Sequence, residues 1–119
     1  MVRVTLVQVP IERSPEDNMR WVAAALSSLD SRTDIVVLPE AWIHPAPMMD
    51  LTGVAESSER ALAVLRELAA SLGCTLVGGA IYLRHRGGYA SMVPVIDGSG
   101  DVVGFQEKVH LYREERNLL

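Results

Sequence analysis

The sequence predicts an α/β fold, a mixed β-sheet with helices on its outer face. Three observations lead there. Short apolar, β-branched runs alternate with two one-sided helices in the first two-thirds of the chain. The remaining strands are separated by tight glycine-containing turns. The resulting order, β-α-β-α-β-β-β, implies parallel early strands with helices packed on the sheet, and later hairpins that make the sheet mixed.

Residues 2–9 are apolar and β-branched, and read as a buried strand. Ser14-Pro15-Glu16-Asp17 is a helix start: Ser14 can cap, Pro15 suits the first helical position, and the acids suit the positive end of the dipole. Met19, Val22, Leu26 and Leu29 continue at helical spacing to about Asp30, and Ser31-Arg32-Thr33 is a turn. Residues 34–38 form a second apolar strand, stopped by Pro39. Residues 41–55 hold prolines and little periodicity, and read as a loop.

A second helix is expected from about Ser57 to Leu72, with Ala61, Leu62, Leu65, Leu68, Ala69 and Leu72 inward and Gly73 as its stop. Cys74 to Leu83 reads as one strand, followed by a hairpin loop over Arg84-His85-Arg86-Gly87-Gly88. Residues 89–97 and 102–107 are two more strands around the turn Asp97-Gly98-Ser99-Gly100-Asp101. With both helices ahead of the hairpins, they fall on one sheet face. Little remains to cover the other face, so the chain reads as part of a larger sandwich.

A length of 119 residues allows one domain at most, residues 1–119. The hydrophobic fraction of 49% and charged fraction of 22% are those of a soluble globular chain. A net charge of −4 with interspersed signs forms no basic patch, which argues against nucleic acid. No apolar run approaches the ~20 residues that span a bilayer. Met1 to Pro10 is too short and alternating for a signal-peptide core. The single cysteine, Cys74, forms no intrachain disulfide, which points to a reducing, cytoplasmic compartment. One cysteine with three scattered histidines gives no zinc pattern.

Two residues stand out chemically. Lys108 is the only lysine; every other Lys/Arg position is arginine. Lysine differs from arginine in being a compact point charge whose pKa responds to its surroundings. Such an ammonium could stabilise an oxyanion, or be an ordinary strand-end cation paired with Glu107. Glu40 follows an apolar strand and Pro39, where functional residues of α/β sheets gather. It could act as a general base or be a solvated loop acid. His110 alternates with Lys108 and shares its face if the strand continues; it could serve catalysis or order the loop. Glu114 and Glu115 could each be salt-bridge partners. Trp42 and the pair Met48-Met49 could line a pocket mouth or pack on the core. Cys74 reads as a buried hydrophobe and not a nucleophile, since nothing local would activate it. Gly78-Gly79 reads as a point of close backbone packing.

These motifs together resemble the N-terminal part of the carbon–nitrogen hydrolase family, also called the nitrilase superfamily. The resemblance runs over essentially the whole chain: the first strand with Gln8, Asn18, Leu38-Pro39-Glu40, Val77-Gly78-Gly79-Ala80, Val95-Ile96-Asp97 with its glycine turn, and Lys108-Val109-His110-Leu111. It implies the N-terminal half of an α-β-β-α sandwich, with two sheets face to face and helices outside. It implies a Glu-Lys-Cys triad, with Glu40 as general base and Lys108 stabilising the tetrahedral intermediate. Glu115 resembles a second glutamate that positions the lysine and substrate, with Glu114 the alternative by register. The loop from Ala41 to Thr52 would contribute to the pocket, with Trp42 and His110 as substrate-binding candidates. The substrate would be a small-molecule amide or nitrile, cleaved through a thioester without metal or organic cofactor. Full-length relatives commonly form dimers.

The family nucleophile lies on a strand-to-helix elbow well after the lysine, and Cys74 does not match it. Ser91 stands where many members carry asparagine, and Gln106-Glu107 replaces a commoner Tyr/Arg lead. The expectation is that the 119 residues alone do not turn over, because losing the nucleophile removes most of the rate of such a unit. The partner would then be a second copy or the C-terminal half of the fold. The alternative is a non-catalytic binding or assembly module that uses the uncovered sheet face.

Overall fold

The computed structural model describes residues 1–10, 14–29, 32–44, 50–113 and 115–119. Six strands and two helices occur among them: β1 (Val4–Leu6), α1 (Pro15–Ser27), β2 (Ile35–Val37), α2 (Leu51–Leu72), β3 (Thr75–Val77), β4 (Ile81–His85), β5 (Gly88–Ile96) and β6 (Val102–Glu107). A short 3-10 turn, Glu115–Asn117, follows. β1, β2 and β3 are parallel, and β5 is antiparallel to β3, β4 and β6. The mixed α/β sheet is as the sequence predicts.

Both helices lie on one face. Val22 and Leu26 of α1 and Ala61, Leu65 and Ala69 of α2 share one core with Val36, Leu76 and Ile96 of the sheet. Ser14 caps α1, its hydroxyl accepting the Asp17 N–H at 3.2 Å. α1 ends at Ser27, earlier than the periodicity suggests. Asp30, the expected helix end, and Ser31, in the expected turn, lie outside the described residues, as do Met48 and Met49.

Three expectations need correction. The first strand is three residues long and not buried: Val4 and Leu6 are 55% and 75% exposed. Register places them with Ile35, Val37 and Val77 on the face away from the helices. That face was expected to be uncovered, and it is exposed around β1, whereas Tyr82 and Ser91 at its other end are buried.

The second helix starts at Leu51, six residues earlier than Ser57 and within the stretch read as loop. Asp50 caps it by accepting the Gly53 N–H at 3.2 Å. Gly53 makes room for that cap: a Cβ there would sit 2.8 Å from the Asp50 carboxylate.

The single strand expected over Cys74 to Leu83 is two strands, and His85 and Gly88 of the expected loop belong to β4 and β5. β3 and β4 pair with the same edge of β5, but the register slips by one residue between Val77↔Val95 and Ile81↔Met92. The extra residue lies in Gly78-Gly79-Ala80, where Gly79 has φ +68°. This is a β-bulge that re-aims the strand.

Candidate active site

Glu40, Lys108 and Glu115 converge at one end of the sheet. β2 is parallel to β3, β5 is antiparallel to β3, and β6 is antiparallel to β5. β2 and β6 therefore point the same way, and their carboxyl ends lie at the same edge. Glu40 follows the first and Lys108 the second, which is how residues 68 positions apart meet.

The bulge holds Glu40 in place. Leu38 N–H donates to the Val77 carbonyl at 2.9 Å, and Ala41 N–H to the Ala80 carbonyl at 3.1 Å. Between these bonds the Pro39 carbonyl rests against Gly79, where any Cβ would come within 2.1 Å of its oxygen. Only glycine accepts both that approach and the left-handed φ. Ala41 itself holds φ +49°, a strained value for alanine. Trp42 then turns inward, its indole N–H donating to the Gly78 carbonyl at 2.8 Å. Asn18 of α1 donates to the Ile43 carbonyl at 3.0 Å. The segment carrying Glu40 is thus fixed from the sheet and from the first helix.

Lys108 is placed by the ladder. Its N–H donates to the Ser91 carbonyl at 2.8 Å, continuing the β5–β6 pairing one step beyond β6. Ser91 is also the partner of Tyr82. Directly opposed residues share a face, so Tyr82, Ser91 and Lys108 form a row across the sheet. Lys108 Nζ donates to Glu40 Oε1 at 2.5 Å, and to Glu115 Oε2 and Oε1 at 2.9 and 3.2 Å. Glu115 also accepts the Tyr112 N–H at 2.7 Å and the Tyr82 hydroxyl at 2.8 Å.

The charges are set by these contacts. Burial acts to lower the Lys108 pKa, but the carboxylates of Glu40 and Glu115 outweigh it and the net shift is upward. Burial acts to raise the Glu115 pKa. The Lys108 ammonium, the Tyr112 N–H and the Tyr82 hydroxyl outweigh it, and the net shift is downward. Burial and the neighbouring carboxylates hold the Tyr82 phenol well above its ordinary value, so it remains a donor. The centre is a permanent ammonium between two carboxylates. Glu115 is 12% exposed and Glu40 60% exposed. The inner carboxylate holds the ammonium. The outer one faces solvent. A depression of about 310 Å³ opens between Glu40 and Lys108, with Val77, Ala80 and Val93 among its lining.

Other expected residues are elsewhere. Trp42 is 1% exposed and belongs to the core, so it supports Glu40 from beneath and does not line a pocket mouth. His110 is exposed, because β6 stops at Glu107 and the alternation that would align it with Lys108 ends there. Glu107 points to the other face, 3.8 Å from His85 Nε2, and not to Lys108. Glu114 lies outside the described residues. Cys74 precedes β3, at the opposite end of that strand from Glu40, and burial raises its thiol pKa. Among the described residues, no group of acidic, histidine or cysteine side chains could hold a metal ion. No helix among them is long and apolar enough to cross a membrane.

The sequence reading missed Tyr82. Its signal was a phenol inside an apolar strand, whose hydroxyl needs a partner when buried. The partner is 33 residues away and visible only once the strands are paired.

Comparison with known proteins bears on the family and the fold. The carbon–nitrogen hydrolase family model matches residues 3–118. Among solved structures, a carbon–nitrogen hydrolase from Helicobacter pylori G27 superposes with TM-score 0.83 at 18% identity, over 94% of this chain and 41% of its own. An amidase from Nesterenkonia sp. AN1 gives 0.80 at 24% identity, over 99% of this chain and 48% of its own. A CN-hydrolase superfamily protein from Xanthomonas campestris, described with an arsenic adduct in its active site, gives 0.82 at 26% identity, over 94% of this chain and 42% of its own. The chain thus spans under half the length of these structures and corresponds to the N-terminal part of the nitrilase fold. No curated protein matches it. The chain belongs to the carbon–nitrogen hydrolase family.

Proposed function

We propose that Glu40, Lys108 and Glu115 form the acid–base and charge-stabilising part of a hydrolase centre for small-molecule amides or nitriles. The observation that carries this reading is the Lys108 ammonium held between an exposed and a buried carboxylate. The attacking thiolate comes from outside these residues, since Cys74 is buried at the far end of its strand.

In this reading a cysteine Sγ adds to the amide carbon and its proton passes to Glu40. The developing oxyanion is stabilised by Lys108, whose charge is fixed by Glu115. The C–N bond breaks as Glu40 returns the proton to the leaving amine. Water then adds to the thioester, giving its proton to Glu40, and the acid is released with the thiol restored. A nitrile instead takes the thiol proton on its nitrogen and becomes a thioimidate; one water then adds and ammonia leaves to give the thioester, and a second water releases the acid. An amidase from Nesterenkonia sp., solved with butyramide, supports a small aliphatic amide as the first substrate to try.

The test is ammonia release. The isolated 119 residues are expected to release none. The hydrolase that joins them to the rest of the fold is expected to be active, and inactive with Glu40→Gln. Ammonia release from the isolated chain that Glu40→Gln abolishes would overturn the need for an outside nucleophile. Full activity of Glu40→Gln in the complete hydrolase would overturn the role of Glu40.

The exposed apolar face around Val4 and Leu6 favours a second reading, a non-catalytic assembly module that pairs with a second copy or with the C-terminal part of the fold. A well-folded, monodisperse monomer counts against it.

A further inference from the structure

We infer that Tyr82 is a positioning residue of this centre, orienting Glu115 so that its carboxylate holds Lys108. This rests on the proposed function above for its catalytic meaning, and on geometry alone for its structural one.

The geometry forms a continuous path from α2 to the site. β4 is the last strand on its side of the sheet, so the outward N–H of Tyr82 has no strand to pair with. The Ser58 hydroxyl, from the middle of α2, accepts it at 3.2 Å in a buried position. The opposite edge of Tyr82 is paired with Ser91. With its N–H held by Ser58 and the residue 6% exposed, the ring has little freedom. The hydroxyl reaches Glu115 Oε1.

Glu115 needs such a restraint. It lies at the start of a three-residue 3-10 turn, without a longer element to fix it. The Tyr112 N–H holds Oε2 and the Tyr82 hydroxyl holds Oε1. Together they fix the plane of the carboxylate, and Lys108 contacts both oxygens. The ionisable or charged groups facing Glu115 are Lys108, Tyr82 and, through the shared ammonium, Glu40. Each comes from a different part of the sheet. Tyr82 is the only neutral donor among their side chains, and removing its hydroxyl leaves the local charge count unchanged.

The experiment follows the carboxyl carbon of Glu115 and the Nζ of Lys108 by NMR in the full chain. Lys108 is the only lysine, so its ammonium gives one side-chain signal. In Tyr82→Phe the Glu115 titration is expected to move upward towards its ordinary value of 4.5, and the Lys108 signal to broaden. Replacing Tyr82 with 3-fluorotyrosine, a stronger donor that keeps the shape, is expected to move the Glu115 titration downward. This second variant keeps the test decisive if Tyr82→Phe folds poorly. In the complete hydrolase, Tyr82→Phe is expected to lower kcat about tenfold with KM within about twofold. Unchanged Glu115 titration in both variants overturns the inference. Normal turnover in Glu115→Gln would overturn the proposed catalytic role while leaving the hold of Tyr82 on Glu115 measurable.

Discussion

Lys108 and Glu115 are joined through both carboxylate oxygens, at 2.9 and 3.2 Å, only seven residues apart. The short loop between them carries Lys108 back over the sheet edge onto its own restraint. The Tyr112 N–H in that loop donates to the same carboxylate at 2.7 Å, so the loop closes around the charge it contains.

The first prediction concerns what Lys108 neutralises. Its removal leaves Glu40 and Glu115 facing each other, and the more buried carboxylate without its cation. Lys108→Met is expected to destabilise the fold by about 1–3 kcal/mol, below the range for a fully buried pair because Glu40 is exposed. Urea denaturation at neutral pH measures it. A further Glu115→Gln change in the same chain should recover part of the loss, since it removes the unpaired charge.

A second prediction concerns pH. Glu115 titrates below its ordinary 4.5 in the folded chain. Its contribution to stability is therefore complete above that ordinary value and is lost as pH falls through the folded one. Lys108 titrates above its ordinary 10.5, so its contribution is complete below that value and lost as pH rises through the folded one. Between these limits the pair contributes a constant amount. The urea midpoint of the native chain should fall more steeply in acid than that of Glu115→Gln.

The bulge makes a third prediction. Gly79→Ala places a Cβ against the Pro39 carbonyl and forces alanine into a left-handed φ. A cost of about 3 kcal/mol follows from the two strains together. If the fold survives, Glu40 moves away from Lys108, and the Lys108 ammonium signal should shift. Gly87 also has a left-handed φ but nothing within 4 Å of an added Cβ. Gly87→Ala should cost only the backbone strain, and the difference between the two isolates the contact.

The alternation of strands and helices as far as α2, the α1 cap and the pair Glu40–Lys108 were legible in the sequence, because each has a local signal: periodicity, Ser14-Pro15, a lone lysine and an acid after an apolar strand. The bulge was half legible. Gly78-Gly79 pointed to close packing, but the register slip depends on how β5 pairs, which no local pattern records. The start of α2 was hidden because nearby prolines and weak periodicity argue against helix, and the Asp50 cap outweighs them. Trp42 was misjudged because its placement depends on the Gly78 carbonyl, freed by the same bulge. Tyr82 was invisible for a related reason: its value lies in a bond across strands to a residue 33 positions away.

The last prediction separates the two carboxylates by what each loses. Glu40 is 60% exposed, and its ion pair resembles surface pairs, which contribute about 0–1 kcal/mol. Glu40→Gln should therefore leave stability almost unchanged. Glutamine can still accept from Lys108, but it cannot take a proton. If Glu40 is the general base, turnover in the complete hydrolase should fall by about 10²–10⁴-fold. Glu115 is the reverse case. It is 12% exposed and accepts four hydrogen bonds, from Lys108 twice, Tyr112 and Tyr82. Glu115→Gln should lower stability measurably, and lower turnover through a misplaced Lys108. Parallel measurement of urea midpoints and kcat tests the division: Glu40→Gln should alter kcat alone, and Glu115→Gln both. Equal losses of stability in the two variants would mean that the exposed carboxylate is as structural as the buried one, and an unchanged kcat in Glu40→Gln would mean that Glu40 is not the base.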